Sequence, residues 1–502
     1  MTTVPACTVA IFGAVGDLTK TLLMPAIYDL AAAGLLDEHM QFLGLDHNDR
    51  DTDGWRGEIS DAIGDFAGKQ GTDGQPGEID ARASSFVLKR LEYVRFDFTS
   101  DADYDALAQR LSAAGNVLFY LAVAPRFFEP IVAGLSRAGL LAETAGDFRR
   151  VVVEKPFGRD LESARQLNAR LTSFAAESQL YRIDHFLGKE AVQGIPALRF
   201  ANRFFEPLLS CDDVTSVQIT AAETVGIAER GSFYESTGAL RDMIPNHLLS
   251  LLTLVAMDEP RSFAAEDVRD AKVELLAALR PVSPHDAVAG QYAAGTVEGK
   301  PVRAYREEDN VAADSRTETY AAVRMHIEND RWRGVPFYLR TGKRMSAHVT
   351  TIALTLRAPT GPIDSDATLP HLLVLGIDPQ RGLVQRFAAK RPGVDLKLGR
   401  ADISFRYETT FEEPPNVGYE TLLYHAMAGQ PLLFQRADMI ELEWAAVQPV
   451  LSAWEHADAV PQLYAAGEDG PALADDLLTR DGHRWFDVAP LETLGLEPRE
   501  TA

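Results

Sequence analysis

Hydrophobic positions change period along the chain. Thr8 to Phe12 (T-V-A-I-F) is an unbroken β-branched, apolar and aromatic run, and similar runs recur at Gln41–Leu45, Tyr93–Phe96, Val117–Val123 and Val151–Glu154. Short continuous runs of this kind predict strands buried on both faces. Helical patterns separate most of them, such as L-L-M-P-A-I-Y-D-L-A-A-A-G-L-L from Leu22 to Leu36. Strands alternating with helices predict a parallel, doubly wound α/β sheet of Rossmann type.

Beyond Glu190 the period is different. Helical stretches at Val192–Phe205 and Met243–Met257 interleave with strand-like runs at Val214–Thr220, Thr319–Ile327, Thr350–Leu356, Leu372–Ile377 and Leu383–Ala388. Long alternating runs without regular crossovers predict an α+β domain on a large, mostly antiparallel sheet. Such a sheet offers a broad face for a second subunit. At 502 residues the chain exceeds what one core serves. We place the division at residues 1–184, the Rossmann-like part, and 185–502, the α+β part that binds substrate and pairs subunits. Gly64–Arg82, rich in Gly, Asp and Gln, is expected to be a mobile surface loop.

Charge narrows the choice of partners. Lys and Arg number 49 against 73 Asp and Glu, so the formal charge is 49 − 73 = −24. A surface this acidic argues against nucleic acid and anionic membranes, and an anionic ligand needs a local basic pocket. Cys7 and Cys211 are the only cysteines, with no ligand spacing, so neither a disulfide framework nor a zinc site is expected. No apolar run approaches the ~18 residues that span a bilayer. No basic-then-apolar leader opens the chain. The expectation is a soluble, cytoplasmic protein.

Four segments carry candidate chemistry. G-A-V-G-D-L (Gly13, Ala14, Val15, Gly16, Asp17, Leu18) follows the first strand and opens a helix. Its two glycines allow a tight turn that brings backbone N–H groups to a pyrophosphate. The spacing is G-x-x-G, and from these residues alone a plain strand-to-helix turn fits equally. After the second strand comes G-L-D-H-N-D-R-D, where Asp46 would accept from the ribose hydroxyls of NAD and repel the 2′-phosphate of NADP. His47 is a weak cation at neutral pH, and Arg50 is within a few residues. A solvated acidic loop explains the same residues.

V-V-V-E-K-P-F-G ends a buried strand with Lys155 and Pro156, at the sheet edge where cofactor and substrate should meet. R-I-D-H-F-L-G-K-E (Arg182–Glu190) sets a carboxylate, an imidazole and an ammonium within six positions. A helix starting near Asp184 would put His185 and Lys189 on one face, two donors suited to phosphate. R-D-M-I-P-N-H (Arg241–His247) precedes a strongly apolar helix, placing Asp242, Asn246 and His247 near its entry with Pro245 in its first turn. A single histidine there is usually a cap or a core hydrogen-bonder. Beside a carboxylate such as Asp184, it becomes a general base held in one tautomer.

These motifs, taken together, resemble the glucose-6-phosphate dehydrogenase family. The likeness runs through G-A-V-G-D-L, F-Y-L-A-V at Phe119, V-E-K-P-F-G-R-D-L at Val153, R-I-D-H-F-L-G-K-E-A-V-Q and L-R-F-A-N-R-F-F at Leu198. It continues through R-D-M-I-P-N-H-L-L, F-Y-L-R-T-G-K-R at Phe337 and Y-E-T-L-L at Tyr419. The resemblance implies oxidation of D-glucose 6-phosphate at C1 to 6-phospho-glucono-1,5-lactone, the first step of the oxidative pentose phosphate pathway. Hydride passes to NADP or NAD, no metal takes part, and the enzyme is a homodimer or homotetramer. By the same likeness His247 takes the C1 hydroxyl proton and Asp184 orients it. His185 and Lys189 bind the 6-phosphate, Glu223 and Asp242 hold sugar hydroxyls, and Lys155 and Lys343 flank the reacting end. Residues 13–18, Asp46, His47, Lys155 and Pro156 line the cofactor.

Several positions depart from the family pattern. Phe186 replaces a tyrosine at the phosphate site, and His348 replaces a lysine or arginine. Asp378 replaces a polar amide, Asp46-His47-Asn48 stands where an arginine segment meets the 2′-phosphate, and Phe128 replaces a tyrosine near the cofactor. NAD, or use of both coenzymes, is the expectation from Asp46. A related sugar or sugar-phosphate dehydrogenase, and a non-catalytic binder of dinucleotide or sugar phosphate, are the alternatives.

Overall fold

A computed structural model describes residues 2–69, 77–144, 146–358, 371–411, 418–456, 460–489 and 491. The first strands are β1 (Cys7–Phe12), β2 (Gln41–Asp46), β3 (Leu91–Arg95), β4 (Asn116–Leu121), β5 (Arg149–Val153) and β6 (Leu180–Ile183). All pair in parallel, in the spatial order β3-β2-β1-β4-β5-β6. Helices cover both faces, which is why β1 and β4 are buried almost throughout. The winding reverses between β1 and β4, and this fold takes ligands in the crevice beyond the strand ends at such a point. Phe12 pairs with both Leu45 and Leu121, and Leu121 with Val153, so β1, β2, β4 and β5 end level.

Later in the chain come β7 (Val214–Ala222), β8 (Ala287–Ala293) and a separate hairpin of β9 (Gly295–Val297) with β10 (Lys300–Val302). They are followed by β11 (Tyr320–Met325), β12 (Phe337–Gly342), β13 (Val349–Leu356), β14 (His371–Asp378), β15 (Gly382–Lys390) and β16 (Leu398–Arg406). β17 (Phe434–Gln435) and β18 (Gln462–Ala465) complete the set. The second sheet has nine strands in the order β16-β15-β14-β13-β7-β12-β11-β8-β18. It is antiparallel except where β7 meets β12 and β8 meets β18. This is the expected architecture: a parallel dinucleotide-type sheet and a large, mostly antiparallel one.

The chain returns to the first sheet near its end. β17 joins β6 as an antiparallel edge. The helix Ala437–His456 is tied to the exit of β5, where Trp444 Nε1 donates to the Phe157 carbonyl (2.9 Å) and Gln448 Oε1 accepts from the Leu161 amide (2.9 Å). Every residue of the helix Leu249–Ala256 is buried. A helix that is apolar all round belongs inside a core, and this one carries the residues just before it into the interior between the sheets.

Three expectations need correction. Gly64 to Lys69 are not loop but the end of a helix, Thr52–Lys69, whose buried Trp55, Ile59, Ile63 and Ala67 keep helical spacing. Another helix starts at Ala81, capped by the Asp80 carboxylate, and residues 70–76 of the expected loop lie outside the described residues. The stretch Met243–Met257 is not one helix. Two helical pieces joined across a kink at Gly238 (φ 69°, ψ 172°) run from Gly231 to Met243 and pass through a wide turn, Ile244–Leu248, into Leu249–Ala256. Pro245 has no N–H to continue the ladder and sits in that turn at φ −76°, ψ 15° rather than in a first helical turn. Asp242 therefore ends one helix, and His247 lies in the turn that follows.

Candidate active site

Gly13 follows β1 with φ +89°, and a Cβ there would stand 2.2 Å from the Ala122 carbonyl oxygen. Only glycine fits, because its backbone presses against the end of β4. The turn closes by Gly16 N–H donating to the Gly13 carbonyl (3.1 Å), and the Thr19 hydroxyl donates to the same oxygen (2.9 Å). The helix then begins at Asp17, and first-turn amides have no acceptor inside their own helix. The turn therefore has the form of a pyrophosphate cradle. Asp46 ends β2 beside it, 4% exposed, and accepts from Val15 N–H (3.3 Å) and Asn48 Nδ2 (2.8 Å), with His47 Nδ1 lying 3.0 Å from its carboxylate. Glu58 holds two nearby cations, Lys20 at 2.7 Å and Arg50 at 2.8 Å, and Arg95 pairs opposite Asp46 on β3. Phe128 is fully buried in the core.

The expected helix at Asp184 is interrupted. Asp184 caps a single tight turn, His185–Gly188, by accepting from Phe186 N–H (2.9 Å). Gly188 packs so closely on Gly418 that a Cβ would meet the Gly418 carbonyl at 2.2 Å. Lys189 is extended (φ −71°, ψ 133°), and the helix proper is Glu190–Phe200. His185 and Lys189 thus do not share a helical face. The Phe186 ring stands between the two parts of the site. It stacks on the His247 imidazole (4.2 Å, 9°), and Lys189 Nζ sits 4.5 Å from the same ring. Phe186, which departs from the family's tyrosine, packs the base.

His247 and Asp184 meet in the interior, 1% exposed each, with His247 Nδ1 2.5 Å from Asp184 Oδ1. Burial opposes the Asp184 charge, yet the His247 partnership, with His185 and the Phe186 amide, holds it well below the usual carboxylate range. Burial also pushes His247 below its ordinary value, and Lys155 adds to this while Asp184 opposes it. The imidazole is therefore neutral near pH 7, with Asp184 fixing the proton on Nδ1 and leaving a lone pair on Nε2. Lys155 Nζ faces that lone pair at 2.8 Å and also reaches Asp242 Oδ1 at 3.1 Å. Asp242 stays ionised against burial because Lys155, Lys343 and His247 hold it well below the usual range.

The remaining residues converge from the second sheet. Glu223 follows β7 and Lys343 follows β12, and because these neighbours run in parallel their side chains emerge together, 2.6 Å apart. Lys189 Nζ pairs with Asp378 Oδ2 at 2.7 Å, and His348 Nε2 lies 3.7 Å from the same oxygen. Despite burial, Asp378 is held at about 2 by His348 and Lys189, while the Asp378 contact raises His348. His185 is pushed well below its ordinary value by burial, with His247 and Lys155 adding, so it offers hydrogen bonds rather than charge.

Two residues behind the dyad were missed in the sequence. Ser250 donates to Asp184 Oδ2 (2.9 Å), and Gln435 donates to Ser250 (3.1 Å). Ser250 stands three residues past His247, a helical spacing that could have marked it. Gln435 is 185 positions from Ser250, and no local pattern reveals it.

Known proteins resemble this chain over nearly its whole length. Residues 10–194 match the family described as "Glucose-6-phosphate dehydrogenase, NAD binding domain", and residues 196–486 match "Glucose-6-phosphate dehydrogenase, C-terminal domain". Glucose-6-phosphate 1-dehydrogenase of Mycolicibacterium smegmatis is 40% identical over 497 residues, covering 96% of this chain and 98% of its own. The Chlamydia pneumoniae enzyme is 37% identical over 507 residues, covering 96% of each. Among solved structures, the Mycobacterium avium enzyme superposes with a TM-score of 0.83 at 35% identity, covering 96% of this chain and 99% of its own. A glucose-6-phosphate dehydrogenase in complex with its substrate, glucose 6-phosphate, gives 0.88 at 30% identity, covering 97% and 100%. The chain belongs to the glucose-6-phosphate dehydrogenase family.

Proposed function

We propose that this chain oxidises D-glucose 6-phosphate at C1 to 6-phospho-glucono-1,5-lactone, as an NAD(P)-dependent dehydrogenase opening the oxidative pentose phosphate pathway. The observation that carries this reading is the buried Asp184–His247 pair beside Lys155, at the carboxyl end of the first sheet. A nicotinamide dinucleotide supplies the hydride acceptor when bound. The turn from Gly13 to Leu18 would hold its pyrophosphate, Asp46 and His47 its adenosine ribose, and Lys155 and Pro156 its inner edge.

In the resting site Lys155 occupies the His247 lone pair. Substrate entry exchanges that contact for the C1 hydroxyl, and Lys155 keeps Asp242 as partner. His247 Nε2 takes the hydroxyl proton as C1 is oxidised, and Asp184 stabilises the imidazolium that forms. Glu223, Asp242 and Lys343 orient sugar hydroxyls, and His185 and Lys189 receive the phosphate. Asp46, with Lys20 and Arg50 already held by Glu58, favours NAD or use of both coenzymes. Exposed Val394, Leu396 and Ile403 near the β15–β16 edge support pairing into a homodimer or homotetramer through the second sheet. Two free cysteines suit the reducing cytoplasm.

A second reading is favoured by Asp378. A carboxylate paired with Lys189 at the phosphate end suits a neutral hydroxymethyl group better than a phosphate dianion. Substrate choice then extends to unphosphorylated aldoses. Initial rates on glucose 6-phosphate and glucose, each with NAD and NADP, separate the readings. Higher kcat/KM on the phosphate ester supports the first, and equal values support the second. Binding without coenzyme reduction would leave only a binder.

A further inference from the structure

Asp184 has two carboxylate oxygens, and the mechanism above uses one. Oδ1 meets His247 and the Phe186 amide, whereas Oδ2 accepts the Ser250 hydroxyl at 2.9 Å. Behind Ser250, Gln435 Nε2 lies 3.1 Å from Ser250 Oγ and 3.3 Å from both oxygens of Glu443. Ser250, Gln435 and Glu443 are all buried, and every residue of the helix that carries Ser250 is buried too. Buried Lys272 is close enough for its charge to act on Glu443. A polar row inside an apolar core costs stability unless every member is partnered. Packing alone would be met by leucine at each of these positions.

The row has a direction. A hydroxyl carries one proton, and Gln435 presents an N–H to Ser250 Oγ, so the Ser250 proton is left for Asp184. Burial pushes Glu443 well above the usual carboxylate range, and even when protonated it keeps a carbonyl oxygen that accepts from the Gln435 NH₂ end. That orientation leaves Gln435 Oε1 without a partner among the described residues. The groups facing the dyad are His185, Lys155, Asp242 and Tyr419 on one side, and Glu443, Lys272 and Arg269 behind it.

We propose that Ser250 and Gln435 are positioning residues for the oxidation, holding the Asp184 carboxylate in place and sharing its charge so that His247 stays aimed at C1. The inference rests on the dehydrogenase reading. Without the Ser250 hydroxyl, Asp184 keeps only His247 and the Phe186 amide as hydrogen-bond partners, which strengthens its pull on the imidazolium. The acid limb of kcat then moves to higher pH, alongside a loss of orientation.

The test uses the full chain carrying Ser250→Ala, Gln435→Met or Ser250→Thr, with kcat and KM for glucose 6-phosphate measured across pH and Tm recorded for each. Ser250→Ala should lower kcat about tenfold, the scale of one hydrogen bond to a charged group. KM should stay within about twofold and the acid limb should shift upward. Gln435→Met should follow in the same direction by about fivefold, and Ser250→Thr, which keeps the hydroxyl, should stay near wild type. Unchanged kcat and an unmoved limb in Ser250→Ala and Gln435→Met, whatever their Tm, overturn the proposal. If Ser250→Ala does not fold, Gln435→Met gives the same readout with the hydroxyl in place. A wild-type chain that turns over no sugar fails the functional reading instead.

Discussion

Asp378→Asn is the sharpest probe of the substrate's charged end. Asp378 holds Lys189 at 2.7 Å and has His348 3.7 Å away, and together they keep it ionised, at about 2, against burial. It therefore stays an anion across the working pH range. A phosphate oxygen received by Lys189 would lie about 5 Å from this carboxylate. With an effective dielectric of roughly 20–40 for a group one-third exposed, the repulsion is about 1.5–3 kcal/mol. Asparagine removes the charge, keeps a hydrogen-bonding end and frees Lys189. KM for glucose 6-phosphate should fall by roughly 10- to 150-fold, and KM for glucose should change little. Initial-rate kinetics on both sugars at saturating coenzyme read this directly. An unchanged or higher KM for the phosphate ester would show that Asp378 serves to aim Lys189 at the phosphate, and the repulsion argument would be wrong.

Other outcomes follow from the same geometry. Asp46→Arg should shift coenzyme preference towards NADP, and an unaltered NAD/NADP ratio of kcat/KM would remove Asp46 from the ribose site. Asp378 raises His348, so the imidazole gains charge as pH falls through a value above its ordinary one; KM for glucose 6-phosphate should improve on that descent, and His348→Gln should abolish the trend. Burial holds His185 below the ordinary histidine value, so the unfolded chain takes up that proton first. Its contribution to stability is complete above about pH 6.5 and is lost as pH falls from there towards the folded value. Thermal midpoints measured between about pH 7 and 5 should therefore drop less in His185→Gln than in wild type, and identical slopes would contradict this.

Much of the fold was legible because its strands are continuous apolar runs. Thr8–Phe12 and Val151–Glu154 need no partner information to read as buried parallel strands, and the glycine turn marked the first crossover. β6 escaped notice because it has four residues, one of them Arg182, which is buried against Glu177. β17 has two residues and forms only because the chain returns to β6. β16, L-G-R-A-D-I-S-F-R, has charges spaced through it and stands at the sheet edge, so its pattern resembles a loop. At the site, the dyad partners were each visible in a local motif, and the family resemblance paired them, but the backbone path that brings them together was not legible. Pro245 bends the chain into the wide turn that aims His247 inward, and a helical reading of Met243–Met257 misses that bend. Lys189–Asp378 and Ser250–Gln435 link residues 189 and 185 positions apart, so only the packed structure brings them together.

The most direct measurement is the turnover of His247→Asn on glucose 6-phosphate. Asparagine retains polarity and a side-chain N–H but has no lone pair basic enough to take the C1 proton. With the Asp184–His247 pair as base and orienter, kcat should fall by about 10²–10⁴-fold or more while KM for the sugar phosphate barely moves. A variant whose kcat stays within about tenfold of wild type, or whose loss appears only in KM, would show that the proton leaves by another route.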